Sequence, residues 1–292
     1  MKNIGIIGNG FVGGSVAFGF SASTTAMNTN VMIFDKDPSK SCNSFDEVVG
    51  NSDFIFICLP TPMNENGQCD LSIIESSLSE INQFNEENNS RSIVILKSTI
   101  VPGTTRRFNS KFQHLDIVFN PEFLTEKSAR MDFLTQSRII LGGEDKEILQ
   151  KVEQLFLGRF KNHHTILMDS QSAELVKYFC NIFFAVKVSF ANEMYGIANT
   201  IGADWNKVLE GVLSDGRIAD SHLNVPGPDG RQGFGGSCFP KDINALISFC
   251  KEKNINSNVI NAAWETNLKV RPEKDWEQLI GRAVSNSNEN PK

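Results

Sequence analysis

Two short stretches of this chain hold residue types that do chemistry, and they lie more than two hundred residues apart. The first is Gly8-Asn9-Gly10-Phe11-Val12-Gly13. Glycines at these intervals permit a tight turn, let the backbone approach a pyrophosphate, and let the next helix pack close to a strand. The helix N-terminus then faces the phosphates. The pattern follows a strand-like run and is followed 22 residues later by Asp35, at the end of a second such run. A carboxylate there accepts hydrogen bonds from ribose hydroxyls and repels a 2′-phosphate, which predicts NAD over NADP. Lys36 and Lys40 nearby blur that preference.

The second stretch is Gly233-Phe234-Gly235-Gly236-Ser237-Cys238-Phe239-Pro240-Lys241-Asp242. Glycines strip side chains from a loop, so its backbone can press against a ligand. Pro240 suits the first turn of a following helix. Cys238 then sits at that helix's N-terminus, where the dipole and a neighbouring lysine favour a thiolate. Asp242 lies four residues on, one helical turn from the thiol. Cys42, Cys58, Cys69, Cys180 and Cys250 are scattered without a CxxC pair. They read as ordinary thiols of a reducing cytoplasm, with no zinc site and no disulfide framework.

Other candidates are weaker. Lys177 and Asn181 share one face of a helix at i, i+4 spacing. Three loops follow strand-like runs: Leu59-Pro60-Thr61-Pro62, Lys97-Ser98-Thr99, and Asn120-Pro121-Glu122-Phe123-Leu124-Thr125-Glu126. Parallel sheets bind ligands at such strand ends, although Thr61 and Thr99 equally suit backbone-capping hydroxyls. His163-His164 reads as a surface pair, since adjacent side chains diverge and no acidic cluster accompanies them.

These residues need a scaffold, and the chain supplies one in two halves. The first alternates strand-like runs (Ile4–Ile7, Val31–Phe34, Phe54–Leu59, Ile93–Leu96, Asp116–Phe119, Arg138–Leu141) with helical stretches, the pattern of βαβ units and a parallel sheet. The second half is helical. Ser172 to about Thr200 reads as one helix of about 28 residues, apolar on more than one side, as suits a domain connector or dimer contact. Trp205–Leu213 and Ile243–Cys250 read as shorter helices. The expected fold is α/β: an N-terminal Rossmann-type parallel sheet followed by a long helix and a small all-α dimerisation domain. The expected divisions are a NAD-binding domain over 1–168, the connecting helix and helical central domain over 169–284, and a polar disordered tail over 285–292. The 292 residues suit about two domains. A net charge of −6 without a basic run argues against nucleic acid or anionic membrane as partner. No apolar run approaches the roughly 20 residues that span a bilayer, and glycines break up any signal-peptide reading of the N-terminus.

Taken together, these segments resemble the UDP-glucose/GDP-mannose dehydrogenase family from about Lys2 to Trp264. Gly233 to Asp242 matches the family's cysteine signature throughout. Asn120-Pro121-Glu122-Phe123-Leu124, Lys97-Ser98-Thr99 and Ala173-Glu174-Leu175-Val176-Lys177 with Asn181 are the next most specific. The resemblance implies oxidation of the C6 alcohol of a nucleotide sugar, UDP-glucose favoured, to the uronic acid with two NAD in succession. It implies that Cys238 captures the aldehyde as a thiohemiacetal that becomes a thioester. Lys177 and Asn181 would stabilise oxyanions. Glu122 would accept a proton, directly or through a water held with Thr99, and Asp242 would orient or activate water. Lys40, Thr61, Ser98, Thr99, Glu126 and Lys241 would join the glycine loop and Asp35 on the cofactor side. Phe123, Leu124, Arg217, Asn224, Phe234 and Gly235 would contact the sugar nucleotide, and a homodimer is implied. Two departures stand out. Only about 28 residues follow Trp264, too few for the family's second Rossmann-like domain, so an incomplete nucleotide pocket is expected. The insert Val225–Arg231 lengthens the loop before Phe234, with Arg231 a candidate phosphate ligand that replaces missing contacts. The rival readings are a β-hydroxyacid-type dehydrogenase performing one oxidation without a thiol, and a non-catalytic NAD-binding relic.

Overall fold

A computed structural model describes residues 1–160 and 163–286. The chain divides into two compact units, Met1–Thr61 with Leu71–Lys177, and Pro62–Asp70 with the chain from Tyr178 onward.

The first unit is built from β1 (Lys2–Ile7), α1 (Phe11–Phe20), β2 (Thr29–Phe34), α2 (Phe45–Asn51), β3 (Phe54–Ile57), α3 (Ser72–Glu87), β4 (Ser92–Leu96), α4 (Thr104–Lys111), β5 (Leu115–Phe119), α5 (Ala129–Leu134), β6 (Arg138–Gly142), α6 (Lys146–Arg159) and β7 (His164–Met168). Helix starts follow local chemistry. Ser44 and Glu47 form a capping box at α2, and the Asp145 carboxylate accepts two N–H groups at α6. The strands form one sheet in the order β2-β1-β3-β4-β5-β6-β7. Alternate residues face opposite layers. Ile55, Ile57, Val94, Leu96, Ile117 and Phe119 pack with Val48, Leu78 and Phe108. Ile4, Ile6, Phe56, Ile95, Val118 and Leu141 pack with Phe20, Phe133 and Phe156. Apolar residues on both faces are what a sheet covered by helices requires.

The structure departs from the sequence reading in two ways here. The sheet is parallel from β2 through β5, but β6 joins β5 antiparallel through the Phe119–Gly142 pair, and β7 runs parallel to β6. Residue pattern marks a strand without encoding its direction, so the reversal had no sequence signal. The β7 strand was missed because it is an edge strand of mixed exposure without clean alternation. His164 opens it exposed, and the half-buried His163 ring packs 4.9 Å from Phe160.

The second unit begins within α7 (Ser170–Ile201), one continuous helix of 32 residues that contains the predicted span. It continues with α8 (Trp205–Leu213), α9 (Phe239–Glu252) and α10 (Asn258–Val270). The boundaries of α8 match the sequence reading, and α9 starts four residues earlier than expected, at Phe239. Pro62–Asp70 folds with this unit, although it lies inside the stretch read as the NAD-binding domain. Met63 donates its N–H to Ala283 O at 2.9 Å and joins Trp276 and Ala283 in a small core. These contacts are remote in sequence, so linear segmentation could not show them. Ser285, at the start of the polar tail, donates to Asp70 Oδ2 at 2.9 Å. The rest of that tail, 287–292, lies outside the described residues. Among the described residues no helix is long and apolar enough to cross a membrane.

Candidate active site

The first unit presents the glycine loop at the carboxyl end of β1. Gly8 has φ +93°, and a Cβ there would stand 2.7 Å from Cys58 O. A Cβ on Gly13 would stand 1.9 Å from Gly8 O, so only glycine lets α1 enter this close to β1. Gly10 is the α1 N-cap and offers no side chain to the first-turn N–H groups. No atom lies within 4 Å of where its Cβ would be. The helix start is thus uncrowded by side chains at Gly10, which suits a phosphate approaching its N–H groups. Asp35 closes β2 beside the loop: Oδ2 accepts from Asn9 N–H at 2.6 Å and Oδ1 from Asp37 N–H at 2.9 Å. Asn9 Nδ2 holds Lys40 O, while the Lys40 ammonium pairs with Asp37. An open groove of about 570 Å³ runs past Gly10, Phe11 and Ser15 to the exposed Glu126, Lys127 and Arg130. Turn, acid and groove together fit a dinucleotide.

The next strand ends of the same unit carry a buried polar cluster. Lys177, 3 % exposed, donates to Glu122 Oε1 at 2.8 Å and to Glu122 O at 2.6 Å. Glu122 Oε2 accepts the Leu124 N–H at 2.7 Å. Burial by itself would raise the Glu122 pKa. The charge and hydrogen bond of Lys177, with the Leu124 N–H and the charge of Lys97, outweigh it and hold the carboxyl below its ordinary range. The Phe123 ring lies 5.5 Å from the Lys177 ammonium, and Leu124 packs into the sheet core. Thr61 donates to Thr99 O at 2.8 Å and Ser98 to Leu59 O at 2.6 Å, so both hydroxyls knit the loops after β3 and β4 together. Burial pushes the nearby Cys58 thiol up to about 12, as befits an inert cysteine.

The second unit presents the thiol. Cys238 is the N-cap of α9, half-buried, with Pro240 in the first turn. Its Sγ lies 3.9 Å from Ser237 Oγ. Asp242, 1 % exposed, accepts from Asn181 Nδ2 at 2.6 Å and from the Lys241 ammonium. Burial favours neutral Lys241, but the charges of Asp242, Cys238 and Cys69 prevail and hold its pKa well above the ordinary value. The loop before Cys238 is pinned by residues that sequence reasoning missed. Asn267 accepts from Phe234 N–H at 2.7 Å and donates to Phe234 O at 3.0 Å, and Asn192 accepts from Gly233 N–H at 3.2 Å. Arg271 reaches Asp229, Asp275 and Gln232 O. A Cβ on Gly235 would stand 2.5 Å from its guanidinium. None of these stands in a recognisable local pattern, so nothing in the sequence flags them.

The predicted residues therefore fall into groups. Glu122 and Lys177 meet directly, as do Asn181, Lys241 and Asp242. Phe234 is buried against Phe239 and Trp264. Asn224 is exposed, and so is Arg217, paired with Asp215 at 2.5 Å. Arg231 lies 3.7 Å from Glu273 and 3.9 Å from Asp275, so carboxylates already surround it. None of the six cysteines forms a disulfide. Among the described residues no three His, Cys, Asp or Glu converge on a metal-binding geometry.

Comparison with known proteins places the chain. Residues 40–158 match the NAD binding domain of the UDP-glucose/GDP-mannose dehydrogenase family, and residues 171–269 match its central domain. The chain belongs to this family. A UDP-glucose 6-dehydrogenase of Rickettsia bellii is 34% identical over 238 residues, covering 80% of this chain and 53% of that protein. The chain spans about half the length of the curated relatives it matches. The structure of a UDP-glucose dehydrogenase from Pyrobaculum islandicum superposes with a TM-score of 0.81 at 29% identity, covering 92% of this chain and 68% of that one. A 3-hydroxyisobutyrate dehydrogenase from Mycobacterium tuberculosis, 16% identical with a TM-score of 0.75 over 94% of this chain and 95% of its own, shares the fold.

Proposed function

We propose that this chain oxidises the C6 alcohol of a nucleotide sugar, UDP-glucose foremost, to the uronic acid through a covalent intermediate on Cys238. The observation that carries the reading is Cys238 at the N-cap of α9, in a glycine loop and beside the Asn181–Asp242–Lys241 cluster. A single-step hydroxyacid dehydrogenase has no use for a thiol so placed.

The glycine loop and the first turn of α1 would hold the cofactor's pyrophosphate, and Asp35 its ribose. Bound NAD supplies the hydride acceptor for each oxidation. Glu122, held ionised by Lys177, takes the proton of the C6 hydroxyl as the first hydride leaves. The Cys238 thiolate then bonds to the aldehyde carbon, and the carbonyl oxygen takes the negative charge. Lys177 and Asn181, one turn apart on α7, stabilise that oxyanion. Loss of a second hydride from the same carbon leaves a thioester. Water, oriented by Asp242, adds to it, the C–S bond breaks and the thiolate is restored. The test is NADH production with UDP-glucose, GDP-mannose and UDP-N-acetyl sugars. Two NADH per uronate are expected, and one NADH with a released aldehyde or ketone would overturn the covalent route.

The working form is a homodimer. Leu175, Phe179, Phe183, Phe190, Ile197 and Ile201 are all exposed on α7. At 3.6 residues per turn they fall within about 80° of one another. A second copy of the chain offers a matching stripe. Sedimentation should give a dimer, and Phe179→Asp with Phe183→Asp should give a monomer with unchanged helicity. A wild-type monomer at micromolar concentration would refute this. A mechanism that needs a thiolate suits a reducing cytoplasm.

A further inference from the structure

Lys97 closes β4 and is 3 % exposed, yet among the described residues no carboxylate makes an ion pair with it. Its ammonium donates instead to Asn120 Oδ1 at 2.7 Å and approaches Asn120 O at 3.4 Å. Asn120 is held on its other sides as well: its N–H reaches Leu96 O at 2.9 Å and its Nδ2 reaches Ile140 O at 2.8 Å. Two residues on stands Glu122, gripped by Lys177. Burying an ammonium that no carboxylate contacts is expensive, and an apolar side chain would fill the same space without that penalty. The charge therefore needs a reason beyond packing.

We propose that Lys97 is a positioning residue for Glu122: by clamping Asn120 it fixes the Asn120–Pro121–Glu122 turn so that the carboxylate meets Lys177. This rests on the reading of Glu122 as the proton acceptor. The electrostatics agree. Burial brings Lys97 down to about 8, with Cys58 and Glu122 resisting and Lys177 adding to the fall. In turn the charge of Lys97 helps hold Glu122 ionised.

The test uses Lys97→Met and Lys97→Gln; the second keeps a donor for Asn120, so misfolding of one variant leaves the other. The carboxyl ¹³C signal of Glu122, assigned with Glu122→Gln, is titrated in each, and NADH turnover is measured against pH. The Glu122 titration is expected to move up by about one pH unit. In Lys97→Met the kcat is expected to fall about ten-fold or more, with its acidic limb displaced upward and KM for NAD held within about two-fold, whereas Lys97→Gln, which keeps a donor to Asn120, is expected to lose less kcat. Lys97→Arg should largely restore both. An unmoved Glu122 titration with kcat within about two-fold of wild type would overturn the proposal. If wild-type protein makes no NADH from any nucleotide sugar, the reading of the reaction fails, while the Glu122 titration still decides the role of Lys97.

Discussion

Replacing Cys238 with serine is expected to lower uronate formation by on the order of 10³-fold or more, while the first oxidation persists at a reduced rate. A serine hydroxyl at the α9 N-cap keeps the shape of the thiol but remains protonated at neutral pH. The helix dipole and Lys241 cannot ionise a group whose pKa lies so far above that of a thiol. The aldehyde then goes uncaptured, and the NADH yield drops from two toward one per sugar consumed. Cys238 is a half-buried helix N-cap, and a serine there fills nearly the same space. The melting temperature should therefore barely move, which separates chemistry from folding. Full two-step turnover by Cys238→Ser, with two NADH per uronate, would exclude the covalent route.

Lys177→Met is expected to damage both stability and activity. It leaves Glu122 as a buried carboxylate that keeps only the Leu124 N–H and the more distant charge of Lys97. Breaking a buried pair in this way typically costs about 3–5 kcal/mol. The pH dependence has a definite sign. In the wild type the Glu122 pKa is lowered on folding, so its contribution is present above the unfolded carboxyl value of about 4.3 and is lost as pH falls through the folded value. In Lys177→Met the folded value moves above the unfolded one. The deficit is then largest at neutral pH and shrinks on acidification, as Glu122 takes up a proton. Urea denaturation at neutral and mildly acidic pH reads this directly. Adding Glu122→Gln to Lys177→Met should recover much of the lost stability, a non-additivity that marks a direct pair. On the proposed mechanism turnover should not recover in the double variant, which lacks both the proposed oxyanion contact and the proposed proton acceptor. Equal destabilisation at both pH values would show that the pair carries no charge linkage.

Much of this was legible in the residues. The glycine loop with Asp35, and the cysteine loop with Pro240, are local patterns whose geometry follows from steric freedom at glycine and from helix-end chemistry. Both were found where the pattern put them, at the end of β1 and at the N-cap of α9. Six of the strands followed from hydrophobic period, and the whole of α8 was read to the residue. Glu122 and Lys177 were named separately, 55 positions apart, with nothing in the chain to say that they touch.

What the residues determined alone is therefore everything that depends on near neighbours: turns, caps, amphipathic faces, and which side chains have reactive chemistry. Folding decided what depends on distant neighbours. It reversed β6 and β7 against the rest of the sheet, and gathered Pro62–Asp70 with Trp276 and Ala283. It set Asn267 and Arg271 behind the cysteine loop. It also turned two ordinary lysines, 97 and 177, into buried cations beside one acid. Period and spacing report on the local backbone, whereas burial and charge coupling exist only once remote segments have excluded water together.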